Sequence, residues 1–257
     1  MNVTADQQGT SATGIGTDLA ALRAQRLKAR AALQRAGLLA FKPESSAKWT
    51  NVAVSRRGGI RVQIEHDDLK GCTPAMLQWW FENLAGTTTW NGEDFSGPEI
   101  LNYHLWHHRD HIAITPLTDA PDGTRNNGFR VGALSRIDEQ FNDYRDRIHQ
   151  VMRTTRLDDS EFTFDILGPG GKPAGRIIHR YAPVPGGVTF YAETAVDFDV
   201  PVIGPLLNWS LRPALFSRST AEHWIRHNIQ ETGRTQDILP VLYAAAPLKG
   251  SRSFSHE

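Results

Sequence analysis

One cysteine, Cys72, is all that 257 residues contain. No disulfide can therefore form within the chain, and any metal site must be built from His, Asp and Glu. Cys72 itself, in GCTPAMLQWW, reads as a packed thiol, because nothing beside it in sequence supplies a base. Charge of one sign is also lacking: 28 Lys plus Arg stand against 28 Asp plus Glu. That balance argues against nucleic acid as a partner. Long apolar runs are missing too. No stretch approaches the ~20 residues that a membrane span requires, and the opening MNVTADQQGTSATG has no apolar signal-peptide core, so no membrane partner and a cytoplasmic protein are expected. Neither His-Glu-x-x-His nor Gly-x-Ser-x-Gly occurs, which argues against two common hydrolase routes.

What is present is ordinary globular material, 40% hydrophobic and 22% charged. Residues 1–15 are polar and read as a disordered tail. From Asp18 the segment DLAALRAQRLKARAALQRAGL has apolar residues at helical spacing, with Gly37 as its stop. Residues 16–57 are thus expected to form an N-terminal helical extension, able to cap the main domain or to meet a second copy in a homodimer. GGIRVQIEH alternates apolar Ile60, Val62 and Ile64 with polar neighbours and predicts a strand at 60–65. Thr73 and Pro74 then mark a helix N-cap and first position. Residues 161–198 read as three strands joined by the turns GPGGKP and PVPGG, after one more in NNGFRVGALSRIDEQF. A long helix is expected at roughly 213–232, ended by Gly233, and 246–257 as a flexible tail. The plan is α+β: a curved antiparallel sheet around a long C-terminal helix with a cavity between, occupying residues 58–245.

Two segments carry chemistry. NYHLWHHRDHI puts His104, His107, His108 and His111 into eight positions. HWIRHNIQE places His223, His227 and Glu231 four residues apart, hence on one helix face, the spacing by which helical pairs hold metal. Between them, SRIDEQF offers Asp138 and Glu139 on a strand. Adjacent strand residues point to opposite faces, so at most one of the two enters the cavity.

The pattern Tyr-x-x-Trp-x-x-x-Asp-His in YHLWHHRDH, the upstream TPAMLQWWF, an acid some thirty residues on and the terminal HNIQE together resemble one family. It is the zinc-dependent carbon–carbon hydrolases that include 2,4-diacetylphloroglucinol hydrolase and phloretin hydrolase. The resemblance covers roughly residues 58–235. It implies a Bet v 1-like (helix-grip) catalytic domain holding one Zn2+ through two histidines and two glutamates. Carried over, these are His111, His227 and Glu231 with, most simply, Glu139 as the strand ligand beside Asp138. It further implies Tyr103 as an active-site tyrosine, and His179 in RIIHRY and Tyr191 in TFYAET as groups binding phenolic hydroxyls. Of the four clustered histidines only His111 is then expected on the metal; His104, His107 and His108 take surface or supporting places. Where relatives carry a dipeptide ending in Pro, this chain has His107 and His108.

The implied reaction is hydrolysis of the bond between an acyl group and a polyhydroxylated aromatic ring, in a small aromatic ketone such as phloretin or an acylphloroglucinol. It needs a polarised carbonyl and activated water, which zinc supplies, and an acid to protonate the departing carbon; Tyr103, His179 and Tyr191 suit the second task. A flat ring calls for an aromatic cavity, with Trp79, Trp80, Trp106, Trp209, Trp224 and Phe190 as candidate linings. The alternatives are a non-catalytic carrier of hydrophobic ligands, a zinc hydrolase of esters or amides, and Fe(II), Mn or Co in place of zinc.

Overall fold

The computed structural model describes residues 19–198 and 204–246; the expected tails at 1–15 and, apart from Ala246, 246–257 lie outside them. The first element is α1 (Leu19–Arg35). It buries Ala29, Ala32 and Leu33, and its end is closed as the sequence suggests. Gly37 takes φ +73°, Gly37 N–H donates to the Gln34 carbonyl and Leu38 N–H to that of Leu33. These are the two bonds of a left-handed glycine cap.

The sheet begins earlier than expected. β1 (Trp49–Val54) pairs antiparallel with β2 (Ile60–Glu65), so the boundary drawn at 57/58 falls inside a hairpin. In β2 the predicted alternation holds, with Ile60, Val62 and Ile64 buried. Next come β3 (Leu69–Lys70) and α2 (Pro74–Glu82). Thr73 caps α2, its hydroxyl accepting from the Met76 N–H at 3.3 Å, while Leu77, Trp80 and Phe81 are buried. A two-strand pair, β4 (Thr87–Thr88) and β5 (Ile100–Leu101), leads into the short α3 (Asn102–Trp106).

Six further strands follow: β6 (His111–Pro116), β7 (Leu134–Phe141), β8 (Asp146–Leu157), β9 (Glu161–Leu167), β10 (Pro173–Val184) and β11 (Gly187–Val196). The sheet order is β1-β2-β11-β10-β9-β8-β7-β6, with β3 added on β11, and every pairing is antiparallel. Sequence patterning did not mark β8. Its outward positions are Arg147, His149 and Arg153, and polar residues also fall inward at Gln150 and Thr154, which blurs the alternation.

Two short helices, α4 (Gly204–Ser210) and α5 (Arg212–Leu215), precede α6 (Arg218–Ala245). α6 starts at the Ser217 cap, whose hydroxyl accepts from the Thr220 N–H at 2.9 Å. It then runs past Gly233, the expected stop. Gly233 serves packing there: a Cβ would stand 2.9 Å from Lys42 Cγ and Cδ, so the bare Cα admits the lysine stem. α6 packs on β1, β2, β3, β7, α2 and α3. The expected large antiparallel sheet and long C-terminal helix are both present. Among the described residues no helix is long and apolar enough to cross a membrane.

Candidate metal centre and cavity

β6 and β7 bring the first pair together. His111 opens β6 directly opposite Glu139 of β7, and a bulge follows between His111 and Ala113. α6 brings the second pair: His227 and Glu231, one turn apart, are 2% and 6% exposed. His111 Nε2 lies 3.1 Å from Glu231 Oε2 and 3.7 Å from Glu139 Oε1. His227 Nε2 lies 3.6 Å from Glu231 Oε2 and 3.9 Å from Glu139 Oε2. A tetrahedral ion with bonds of about 2.0–2.1 Å separates its donors by about 3.3 Å; His111, Glu139 and His227 offer one donor atom each within 4.8 Å of one another, a grouping that could hold a metal ion, and Glu231 borders it through both imidazoles. Glu139, with Ile137 and Phe141, faces the cavity. Asp138 points the other way and pairs with Arg136 at 3.1 Å and with His149. The strand's alternation thus decides between the two acids.

Both imidazoles are oriented from behind. His111 Nδ1 donates to the Tyr103 carbonyl at 2.7 Å, and His227 Nδ1 meets Asp110 Oδ2 at 3.0 Å. Each ring therefore turns Nε2 toward the centre, the arrangement in which outer partners fix a metal-binding tautomer. The Tyr103 ring stacks on His111 at 3.8 Å, and its hydroxyl donates to Glu139. Glu231 Oε1 accepts from Asn228 Nδ2 at 2.7 Å, and Asn228 Oδ1 accepts from His66 Nε2 at 3.0 Å. The sequence analysis singles out neither residue; Asn228 stands three residues before Glu231, a helical spacing that could have found it, and nothing in the sequence pattern marks His66.

The other histidines stand outside the cluster. His104 is fully buried and bonds the Ile112 carbonyl through Nε2 at 2.9 Å. His107, also fully buried, has both nitrogens engaged, Nε2 with Gln230 Oε1 at 3.0 Å and Nδ1 accepting from the Asp110 N–H. A second grouping of His107, Asp110 and His227 is therefore the outer layer of the first. His108 stacks on Phe41 at 5.0 Å, and His223 pairs with Asp146 at 2.5 Å.

The electrostatics follow from burying two carboxylates together. Burial raises Glu139 above its ordinary value, with His227 and His111 acting against it. Burial works on Glu231 in the same sense, yet His227 and His111 hold it down at about 2. His227 is pushed up to about 10: burial opposes its charge, but Glu231, Asp110 and Glu139 outweigh that. A buried carboxylate pair requires a nearby cation, a role that a bound metal ion or a protonated His227 fills. Burial and the charge of Glu139 raise the Tyr103 phenol well above its usual range.

The cluster opens onto a cavity of about 790 Å3 between the sheet and α6. Beyond Glu139, Glu231 and Asn228 its wall is largely apolar, with Phe129, Phe162, Phe164 and Met152 among the linings. Trp106 and Trp224 line it as expected. Trp80 is in the core, Trp79 packs edge-on to Tyr243, Trp209 is exposed, and Phe190 is buried behind His66 and His179. His179 lies on the cavity wall, and burial lowers it to about 4, so it is neutral at pH 7. Its Nδ1 has no hydrogen-bond partner among the described residues.

Tyr191 is a correction. In β11 the buried positions are Val188, Phe190, Ala192 and Thr194, so Tyr191 faces the opposite side of the sheet. There its hydroxyl donates to Glu193 and accepts from Gln63 Nε2, both at 2.7 Å. Thr194, unmarked in the sequence, lines the cavity instead, its hydroxyl unpartnered among the described residues. Cys72 is buried, its thiol pushed up to about 12 by burial, as expected of a packing residue.

No family model matches this chain, and no curated protein does. Among solved structures it is similar to protein Ms6760 from Mycobacterium smegmatis, at 8% identity over 78% of this chain and 99% of that one, TM-score 0.40. Protein MLL2253 from Mesorhizobium loti aligns at 11% identity over 73% and 99%, TM-score 0.38. Ara h 8.0201 aligns at 10% identity over 66% and 97%, TM-score 0.32. Likenesses this distant do not bear on function.

Proposed function

We propose that the protein is a zinc-dependent hydrolase, with a helix-grip catalytic domain, that cleaves an acyl group from a polyhydroxylated aromatic ring. The observation that carries this reading is the convergence of His111, Glu139, His227 and Glu231 at the end of an aromatic cavity, with both imidazole Nδ1 atoms already committed. Two imidazole nitrogens and two carboxylates suit zinc, and also Fe(II), Mn or Co. A divalent cation held by these residues supplies Lewis acidity toward a ketone and water.

The chain's own residues account for the rest. Water adds at the carbonyl carbon, the carbon–carbon bond breaks, the acyl half leaves as a carboxylic acid and the ring carbon takes a proton. Tyr103 keeps its phenolic proton at neutral pH and sits at the junction of cluster and cavity, which suits it to deliver that proton. Neutral His179, with a free ring nitrogen on the wall, suits a phenolic hydroxyl. The apolar aromatic walls hold a flat ring and keep out bulk water. A second reading, a non-catalytic carrier of hydrophobic ligands, is favoured by the same large apolar cavity; it leaves the four convergent donors without a use.

The test is metal content of the purified chain beside Glu231→Ala, with turnover of phloretin and 2,4-diacetylphloroglucinol. About one zinc per chain, lost in the variant, with release of a phloroglucinol-type phenol, is expected. Absence of metal from both proteins, with tight binding of the ketones but no turnover, would establish the carrier instead.

A further inference from the structure

A second hollow, of about 520 Å3, shares no lining residue with the main cavity. Its wall carries Arg30 of α1, Lys42, His108, Arg109 and Gln230 around residues 39–41, and no carboxylate among the described residues lines it. Arg30 makes no ion pair or hydrogen bond among the described residues, and it is exposed, as is Arg109. Arg109 lies 5.0 Å over the Phe41 ring and spends one N–H on Gln230 at 3.1 Å, leaving the rest of its fork free. Lys42 reaches Asp67 and Gln236, each at 3.3 Å.

Behind this wall stands a further cation. Arg234 of α6 is 1% exposed, its guanidinium carbon 5.1 Å over Phe41. One N–H donates to the Ala40 carbonyl at 3.0 Å, while Nε and Nη1 find no hydrogen-bond acceptor among the described residues. The acid paired with it, Asp237, is 3.6 Å from Nη1. Burial, then the charges of Arg234, Arg109 and Arg30, lower His108 to about 4, with Asp110 opposing. With Lys42 paired to Asp67 and Arg234 to Asp237, the excess of cation around this concave surface is carried by Arg30 and Arg109.

The geometry points to this hollow as a binding site for a compact phosphate-type oxyanion, gripped by the guanidinium forks of Arg30 and Arg109 with Lys42 beside them. Planar guanidinium forks match pairs of phosphate oxygens, and both arginines stand on the wall of the same hollow. The volume of about 520 Å3 accommodates a phosphoryl group with a small organic body. The site is independent of the hydrolase reading, since neither the four donors nor the aromatic cavity belongs to it.

The test is calorimetric titration of the full chain at low chloride with sodium phosphate and, separately, glycerol 3-phosphate. Arg30→Gln, Arg109→Gln and the double variant are compared with the remote exposed Arg218→Gln. Saturable binding of one anion per chain is expected, about tenfold weaker for each guanidinium removed and unchanged in Arg218→Gln. The tighter of the two probes assigns the source, free phosphate or a phosphomonoester. Binding that survives intact in the double variant places the anion elsewhere and overturns the assignment, as does a lack of saturation with both probes. Both substituted arginines are exposed, so equal thermal midpoints of wild type and variants confirm that the comparison is between folded proteins.

Discussion

Arg26 of α1 donates from both Nε and Nη2 to the main-chain carbonyl of His111, at 2.8 and 2.5 Å. The N-terminal helix therefore reaches the centre directly: it holds the backbone of the residue whose side chain heads the cluster. The His111 ring is tied at the same time through Nδ1 to the Tyr103 carbonyl. Backbone and ring are thus fixed by different elements, and only Nε2 is left to act.

If the cluster holds zinc, removing that clamp loosens a ligand without touching one. Arg26→Ala is expected to lower zinc affinity by 10- to 100-fold, the usual range for outer-layer partners, and Arg26→Lys, with a single donor tip, to fall between. Competition with a chromogenic chelator measures it. Equal affinity in all three proteins would remove α1 from the metal site.

The two acids of β7 provide a sharper test. Glu139 faces His111 and His227, whereas Asp138 is engaged by Arg136 and His149 on the opposite face. Glu139→Gln is expected to reduce bound metal well below one per chain, and Asp138→Asn to leave it unchanged. The reverse result, read by plasma mass spectrometry, would mean the strand register is off by one residue.

How much of this was legible in sequence depends on whether a signal is local. The i, i+4 pair His227 and Glu231 needs only helix periodicity, and α6 puts both on the buried face. The Thr73 cap and the Gly37 stop are local chemistry and were legible for the same reason. Gly233 misled because its role is tertiary: it makes room for Lys42, 191 residues earlier in the chain. Tyr191 misled because a strand shows its period but not which phase faces inward, and Phe190 took the inner position. Arg26 joins a helix to a strand 85 residues away, a pairing that no spacing rule contains.

Tyrosine phase has a kinetic consequence. Tyr103 lies on the cavity with its hydroxyl on Glu139, and Tyr191 lies on the other face of the sheet. Tyr103→Phe is expected to cut turnover of an acylphloroglucinol by about 10²- to 10⁴-fold, the range for a general acid. Tyr191→Phe should stay within about twofold, since it touches nothing in the cavity. Comparable losses in both would put the proton donor elsewhere.

Acid stability offers a test that needs no substrate. Burial depresses His66 to about 3 and His104 and His179 to about 4, so in the folded chain all three are neutral where free histidines begin to protonate. Between the ordinary histidine value of 6.5 and these depressed values the unfolded chain binds more protons than the folded one. Their contribution to stability is therefore fully present above about pH 6.5 and is lost as pH drops toward 4 and then 3. Each such histidine adds up to about 1.4 kcal/mol of lost stability per pH unit within its window. His66→Gln keeps an N–H for Asn228 Oδ1, the partner His66 now bonds at 3.0 Å, but cannot take up a proton. The variant should show a shallower acid limb than wild type by about one histidine's slope in chelator-treated protein, measured by urea unfolding at pH 7, 6, 5 and 4. Parallel limbs would mean that His66 is protonated in the folded state at pH 5, which its burial against Phe190 and Asn228 opposes.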